Sequence, residues 1–149
     1  MAYRFRLETV LGLRRNLEEL AQQRLAKELL ALEELVARLA ELREQRQGLI
    51  DEFEEKKQGL MDAPLFISYM DGISMGERRI EECGQAIERQ QQAVAAAREE
   101  LAAKMRDRKV MEKARERDYQ RHVRAQLAKE QNEADEQMVL RFGRHGGGQ

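Results

Sequence analysis

The sequence contains a single proline, and its position divides the chain. Pro64 lies in the stretch MDAPLFISYMDGISMG, from Met61 to Gly76, which also holds Gly72. Proline lacks the amide donor that a helix interior needs, and glycine is a poor helix former, so a helix is expected to stop here. The segments on either side have the composition of long helices. The sequence therefore predicts two long helices, joined by a break at residues 61–76 and folded back on each other.

Composition restricts the fold class further. Of the 149 residues, 37% are charged and only 5% are aromatic, and there is no tryptophan. Long helices and coiled coils have this composition, whereas compact domains use aromatic side chains for much of their buried surface. We therefore predict an all-α fold, a long antiparallel two-helix coiled-coil hairpin. The same composition argues against a Rossmann, barrel or hydrolase core.

The first helix is predicted from about residue 6 to about residue 60 by a repeat of apolar residues every 3.5 positions. This spacing is typical of left-handed coiled coils. Alternating steps of four and three from Leu7 to Leu60 define sixteen positions, the seam, and eleven of them are apolar. The charged side chains in the seam could lie along it with their heads in water, or they could let the rod flex or accept other helices. These charged positions are Arg14, Glu18, Glu28, Arg46 and Lys56.

The second helix is predicted to begin near Ile73 or Glu77 and to end near Leu140, before a flexible glycine-rich tail at residues 141–149. Folding about the break then places Leu60 near Ile73 and Phe53 near Ile80. The seam of this helix follows seven-residue steps through Ile73, Ile80, Ile87, Val94 and Leu101, joined by Cys83, Ala97 and Met105.

Past Met105 the apolar residues of the second helix no longer follow one face. The seven-residue steps now reach Arg108, Arg115 and His122. We therefore expect looser pairing in this part of a single hairpin domain that spans residues 1–140. Antiparallel folding also brings residues 1–15 alongside about residues 118–132 and leaves the second helix to overhang. Such an end is suited to binding a partner.

Charge is distributed unevenly along the chain, although the net charge is only −1. Residues 98–129 contain eleven basic and six acidic side chains, whereas residues 41–62 contain seven acidic and four basic ones. The predicted hairpin is thus basic at the open end. Nucleic acid is a poor candidate partner because acidic residues are interleaved throughout and no aromatic platform is present. An acidic protein surface fits better, since complementary potential steers association.

Motifs for catalysis are absent from the sequence. There is no phosphate loop, nucleophile elbow, HExxH or paired cysteine motif, and the carboxylates belong to solvated helix faces. We predict a protein that is not an enzyme, with no cofactor, no metal and no small-molecule substrate. His122 is interpreted as a rim residue and Cys83 as a packing residue.

The sequence also predicts a cytoplasmic protein. The opening MAYRFRLETV has no apolar run of the kind found in signal peptides, and no segment approaches the roughly 20 apolar residues that span a bilayer. The single cysteine agrees with a reducing compartment.

Two stretches carry a family resemblance. The opening AYRFRLETVLGLRRNLEELAQQRLAKELLALEELVARLAELREQR resembles the start of the FliJ family, a component of the bacterial flagellar type III export apparatus. The later KVMEKARERDYQRHVRAQLAKEQNEADEQ resembles the family's C-terminal pattern, in which a basic start is followed by an acidic cluster. The match covers most of residues 2–138, with both ends in the family's order and at its length.

The resemblance implies a fold similar to the central stalk of rotary ATPases. It implies that one end enters the ring of the flagellar export ATPase, a FliI-like protein, and promotes ring assembly and activity. It also implies links to the export gate protein FlhA, to the ATPase regulator FliH and to chaperones of filament-cap and junction subunits. The protein would then be peripheral to the cytoplasmic face of the inner membrane.

These implications and the charge pattern lead to two predicted contact sites. The gate contact is placed at the tip, near the start of the second helix, and the ATPase-ring contact at the open end. The tip residues are Phe66, Tyr69, Met70 and Ile73, and the open-end residues are Arg4, Phe5, Arg6, Leu7, Leu11, Tyr119, Val123 and Arg124.

Three alternatives stay open from sequence. The tip residues could merely close the coiled coil. The chain could be a general coiled-coil adaptor or holdase, or it could be the equivalent stalk of a virulence type III secretion system. Partner identity and neighbouring genes would distinguish these cases.

Overall fold

The computed structural model describes residues 3–146 and consists of two helices. Helix α1 spans Glu8–Lys57 and helix α2 spans Ala63–Gly146. They are antiparallel and pack against each other, and the described residues include no strand. The prediction of an all-α two-helix hairpin is confirmed.

The connection between the helices is much shorter than predicted. It comprises only residues 58–62, so the predicted break at 61–76 and the predicted helix start at Ile73 or Glu77 are wrong. Asp62 caps α2, because its Oδ1 accepts a hydrogen bond from the backbone N–H of Leu65 at 2.9 Å. Pro64 follows within the first turn, where backbone amides have no acceptor inside the helix and proline is tolerated. Here proline therefore marks the beginning of a helix rather than its end.

The short connection also changes the pairing of the helices near the tip. The ring centroid of Phe53 lies 5.8 Å from that of Phe66 and 5.9 Å from that of Tyr69. The predicted proximity of Phe53 to Ile80 is therefore wrong. The predicted break of sixteen residues is too long. It therefore pairs each residue of α1 with a residue that lies too far toward the end of α2.

The predicted seam of α1 is confirmed between Leu11 and Phe53. All of its positions in that range are buried or half-buried. The three outermost positions, Leu7, Lys56 and Leu60, are exposed. Leu60 lies in the connection, fully exposed, so its predicted position near Ile73 is wrong.

The seam of α2 is confirmed and continues further than predicted. Its eight predicted members from Ile73 to Met105 are all buried or half-buried. Past Met105 the apolar pattern was expected to lose its order and the pairing to loosen. The seam positions there are mostly polar, yet they remain buried or half-buried, so the residue type changes while the packing continues. These positions are Arg108, Met111, Arg115, Asp118 and His122.

Most of the charged positions in the α1 seam have polar partners on α2. One interpretation expected the charged groups of these side chains to stay in water. Glu18 departs from it most clearly, because it is only 8% exposed. Such pairs satisfy polar groups that would otherwise lose water on burial. They are Arg14 with the backbone carbonyl of Asp107, Glu18 with Arg108, Glu28 with Gln90, and Arg46 with Glu77.

The chain divides into two compact units. The tip unit is Glu19–Ala103, and the open-end unit combines Met1–Glu18 with Lys104–Gln149. Within the open-end unit, α2 continues to Gly146, so residues 141–146 belong to the helix and not to the predicted tail. Residues 147–149 lie outside the described residues. All side chains of residues 124–144 are exposed.

Candidate functional site

The tip candidates occupy the first three turns of α2, but they differ in exposure. Phe66 is 47% exposed, whereas Tyr69 is only 8% exposed. Met70 and Ile73 are half-buried. Phe66 is therefore the member of this set that most readily reaches another protein.

Tyr69 packs against residues near the end of α1. Its ring and that of Phe66 both pack against Phe53, at centroid distances typical of aromatic pairs. The ammonium of Lys56 lies 5.5 Å from the centroid of the Tyr69 ring. A side-chain hydrogen bond to Tyr69 raises the pKa of Lys56. The end of α1 and the start of α2 are thus joined by one aromatic cluster.

The structure adds exposed apolar residues at the tip that were not among the predicted contacts. Leu60 is fully exposed, and Ile67 is 56% exposed. Leu65 is also exposed beside Phe66. The tip surface is therefore defined by Leu60, Leu65, Phe66 and Ile67. The signal for three of them was present in the apolar composition of the stretch, but the seam pattern had assigned Leu60 to the interior.

The open-end candidates separate into a core and a rim. Leu11 is completely buried and Phe5 is 9% exposed, and both belong to one apolar cluster with Met111. Arg4, Arg6, Leu7, Tyr119 and Arg124 are exposed, and Val123 is half-buried.

Tyr3, which sequence reasoning did not select, fastens the segment before α1 to α2. Its hydroxyl donates a hydrogen bond to Oδ2 of Asp118 at 2.9 Å. Its ring lies 5.1 Å from that of Tyr119 and 5.3 Å from that of His122. Desolvation, followed by the bond to Asp118, raises the pKa of Tyr3. Residues 3–15 consequently lie beside about residues 107–122, and the predicted pairing with residues 118–132 is wrong.

Ion pairs continue this attachment along the helices of the open-end unit. Arg108 donates hydrogen bonds to Glu18 and, at 2.8 Å, to Glu112. Hydrogen bonding to Glu18 raises the pKa of Arg108. Glu112 also accepts a hydrogen bond from Arg15, with 3.4 Å between Nη2 of Arg15 and Oε1 of Glu112. Because these groups bind one another, they are less available to a partner than the arginines that stand outside the network.

A groove of about 530 Å³ lies between the segment before α1 and α2. Its floor is apolar, and its edge is mainly basic. A groove with this chemistry suits a partner that combines apolar and acidic side chains. It is lined by Phe5, Arg6, Leu7, Ala114, Arg117, Asp118 and Arg121.

Among the side chains that the structure describes, those of residues 3–144, no group of His, Cys, Asp or Glu is arranged to hold a metal ion. Over the same residues, neither helix has a stretch long and apolar enough to cross a membrane.

The fold places this chain in the class of antiparallel two-helix coiled-coil hairpins, and its exposed apolar and basic side chains suit it to binding other proteins. A family model described as "Flagellar FliJ protein" matches residues 3–147. The chain belongs to this family and is a component of the flagellar export apparatus, and the family is not a known enzyme family.

No curated protein and no solved structure matches the chain.

Proposed function

We propose that this chain is the stalk of the flagellar export machinery, inserted by its open end into the ring of the FliI-like export ATPase. The observation that carries the proposal is the construction of the open end, in a chain of this family. A buried core of Phe5, Leu11 and Met111 fixes a rim of exposed arginines and apolar side chains. A rigid end of this kind can present charge to a ring without losing its own fold.

In this proposal the open-end residues have two roles. Arg4, Arg6, Leu7 and Arg124 contact the ring directly, together with Tyr119 and Val123. Phe5 and Leu11 act from inside the cluster and hold the rim in place. The stalk promotes assembly of the ring and its ATP hydrolysis but hydrolyses nothing itself.

The tip surface binds the export gate FlhA in the same proposal. Support comes from an exposed apolar patch, where connections between helices are ordinarily polar. Phe66 is the central contact and Tyr69 its buried support. Met70 and Ile73, half-buried behind them, extend the contact along α2.

The remaining partners are proposed from the family resemblance. FliH and the chaperones of filament-cap and junction subunits are proposed to bind the assembled stalk. The chain then works in the cytoplasm, peripheral to the cytoplasmic face of the inner membrane.

The ring contact is tested by the ATPase rate of the cognate export ATPase, with ring formation followed by light scattering. The wild-type chain should stimulate both. The charge reversal Arg4→Glu with Arg6→Glu should abolish most of the stimulation, because it reverses two exposed charges of the rim. Arg78→Glu with Arg79→Glu, also exposed but in the tip unit, is the matched control. A wild-type chain that changes neither rate nor assembly would refute the proposal.

The gate contact is tested by calorimetric titration of FlhA with the chain. Phe66→Ser with Ile67→Ser should weaken binding by about tenfold or more, as expected for central apolar contacts. Leu30→Ser with Val36→Ser removes two equally exposed apolar side chains elsewhere in the tip unit and should leave the affinity unchanged. Equal losses in both variants would show that the tip has no specific role.

A further inference from the structure

We propose that Tyr3 is a positioning residue for the contact between the open end and the ATPase ring. It holds the segment before α1, residues 3–7, on α2, and it thereby fixes the place from which Arg4 binds a carboxylate of the ring. The inference rests on the proposed function, because it assigns the residue that sets the geometry of that contact.

Burial alternates along the first four described residues. Tyr3 is half-buried and Phe5 is buried, whereas Arg4 and Arg6 are exposed. Residues 3–5 are not helical, and alternation of this kind is typical of an extended chain. The two aromatic side chains therefore attach the segment to the protein, and the two arginines are left in solvent.

Phe5 fixes the second arginine. Its side chain belongs to the apolar cluster with Leu11 and Met111. Its carbonyl also accepts a hydrogen bond from the backbone N–H of Glu8, at 3.2 Å. Arg6 lies inside the turn that this bond closes, so its position is set by Phe5 and by the start of α1, without Tyr3.

Arg4 depends on Tyr3 in a way that Arg6 does not. Tyr3 is the first described residue, and it provides the one described attachment that precedes Arg4. Its hydroxyl donates a hydrogen bond to Asp118, and its ring packs against Tyr119 and His122. Without these contacts Arg4 would be held on one side only. Its backbone would then have to be ordered when the ring binds, which costs conformational entropy and weakens binding.

The charge of Arg4 is available to a partner. In the described part of the protein, neither Arg4 nor Arg6 takes part in an ion pair, whereas Arg15, Arg108 and Arg115 of the same unit do. An arginine can bind a carboxylate through two parallel hydrogen bonds, and this geometry is specific. Such a contact benefits from a guanidinium whose backbone is already in place.

The experiment is a double-mutant cycle on stimulation of the cognate export ATPase. The measured quantity is the concentration of the chain that gives half-maximal stimulation. Tyr3→Ala and Arg4→Ala should each raise it about fivefold. The double variant should raise it no further, because both changes remove the same contact. Tyr3→Phe keeps the ring beside Tyr119 and should cause a smaller increase.

Arg124 provides the matched control. It is also exposed and is proposed to contact the ring, but it is held by α2 rather than by residues 3–7. The effects of Tyr3→Ala and Arg124→Ala should therefore multiply when the two changes are combined. Circular dichroism verifies that each variant keeps both helices.

The outcomes separate this inference from the proposed function. A wild-type chain that does not stimulate the ATPase would refute both. If the wild type stimulates, an unchanged half-maximal concentration for Tyr3→Ala or for Arg4→Ala would overturn the inference alone. So would effects of Tyr3→Ala and Arg4→Ala that multiply, because Tyr3 would then act independently of Arg4.

Discussion

Arg108 of α2 donates a hydrogen bond to Glu18 of α1 across the seam, and Glu18 is the one charged residue buried in the described part of the protein. Glu112 receives a second hydrogen bond from the same guanidinium at 2.8 Å. A buried ion pair adds little net stability compared with apolar residues of the same size. Removal of Glu18 alone is nevertheless costly, because it leaves the half-buried Arg108 with Glu112 in place of two carboxylates. A polar pair in a coiled-coil seam also disfavours other registers.

Removal of the carboxylate alone should therefore be more harmful than removal of the pair. Glu18→Leu should lower the urea midpoint of unfolding, whereas Glu18→Leu with Arg108→Leu should recover much of the loss. Glu19→Leu, next in the chain and exposed, is the control. Equal midpoints for Glu18→Leu and Glu19→Leu would show that the pair has no structural role.

The attachment of Tyr3 should weaken in alkali. The folded-state pKa of Tyr3 is raised above its ordinary value of 10.0, so the folded state holds the proton more tightly than the unfolded state. The resulting stabilisation is present below pH 10 and is lost as the pH rises through the folded-state pKa. Tyr3→Phe should remove this part of the pH dependence in denaturation curves measured between about pH 9 and 11.

Tyr119→Phe is the matched control, since it keeps a ring beside Tyr3 and leaves the bond between Tyr3 and Asp118 intact. It should retain the alkaline loss of stability. If Tyr3→Phe showed the same alkaline slope as the wild type, the hydrogen bond to Asp118 would not contribute to stability.

Leu11 anchors the apolar cluster of the open-end unit. It is completely buried, whereas Leu13, two residues further, is 57% exposed. Leu11→Ala should reduce the free energy of unfolding by about 2–5 kcal/mol, through lost burial and an unfilled cavity. Leu13→Ala should change it by less than about 0.5 kcal/mol. Similar values for the two variants, from urea denaturation, would contradict the assignment of the core.

Gly72 and Gly76 lie inside α2, where glycine is an unfavourable residue. A Cβ at Gly72 would lie 3.5 Å from Cδ1 of Leu49, and one at Gly76 would lie 3.6 Å from Cβ of Arg46, both ordinary contact distances. Each substitution to alanine should therefore stabilise the protein by about 0.5–1 kcal/mol. Thermal denaturation measures the gain.

Gly12 provides the comparison, because it is also helical and a Cβ there meets nothing within 4 Å. Gly12→Ala should give a similar gain through helix propensity alone. A loss of stability only at Gly72 or Gly76 would reveal that close helix packing there requires glycine.

Among the candidate sites, exposure could be predicted from the sequence only in part. Phe66 and Arg6 are exposed as a binding role requires, but Tyr69, Phe5 and Leu11 are buried. Apolar side chains near a turn or a chain end have the same signature whether they face a partner or the interior. Only the position of the neighbouring helix distinguishes the two, and that position depends on the register.

The sequence by itself determined the two-helix hairpin and both seams, since a 3.5-residue repeat depends only on spacing within each helix. Tertiary structure decided where α2 begins and how the helices are paired. From the sequence alone, Pro64 predicts the end of a helix. In the structure, the backbone N–H of Leu65 donates a hydrogen bond to Asp62, and Pro64 lies in the first turn of α2. The predicted break of sixteen residues is in fact a connection of five, residues 58–62. The contacts between the helices therefore differ from the predicted ones, including the contact that pairs Glu18 with Arg108.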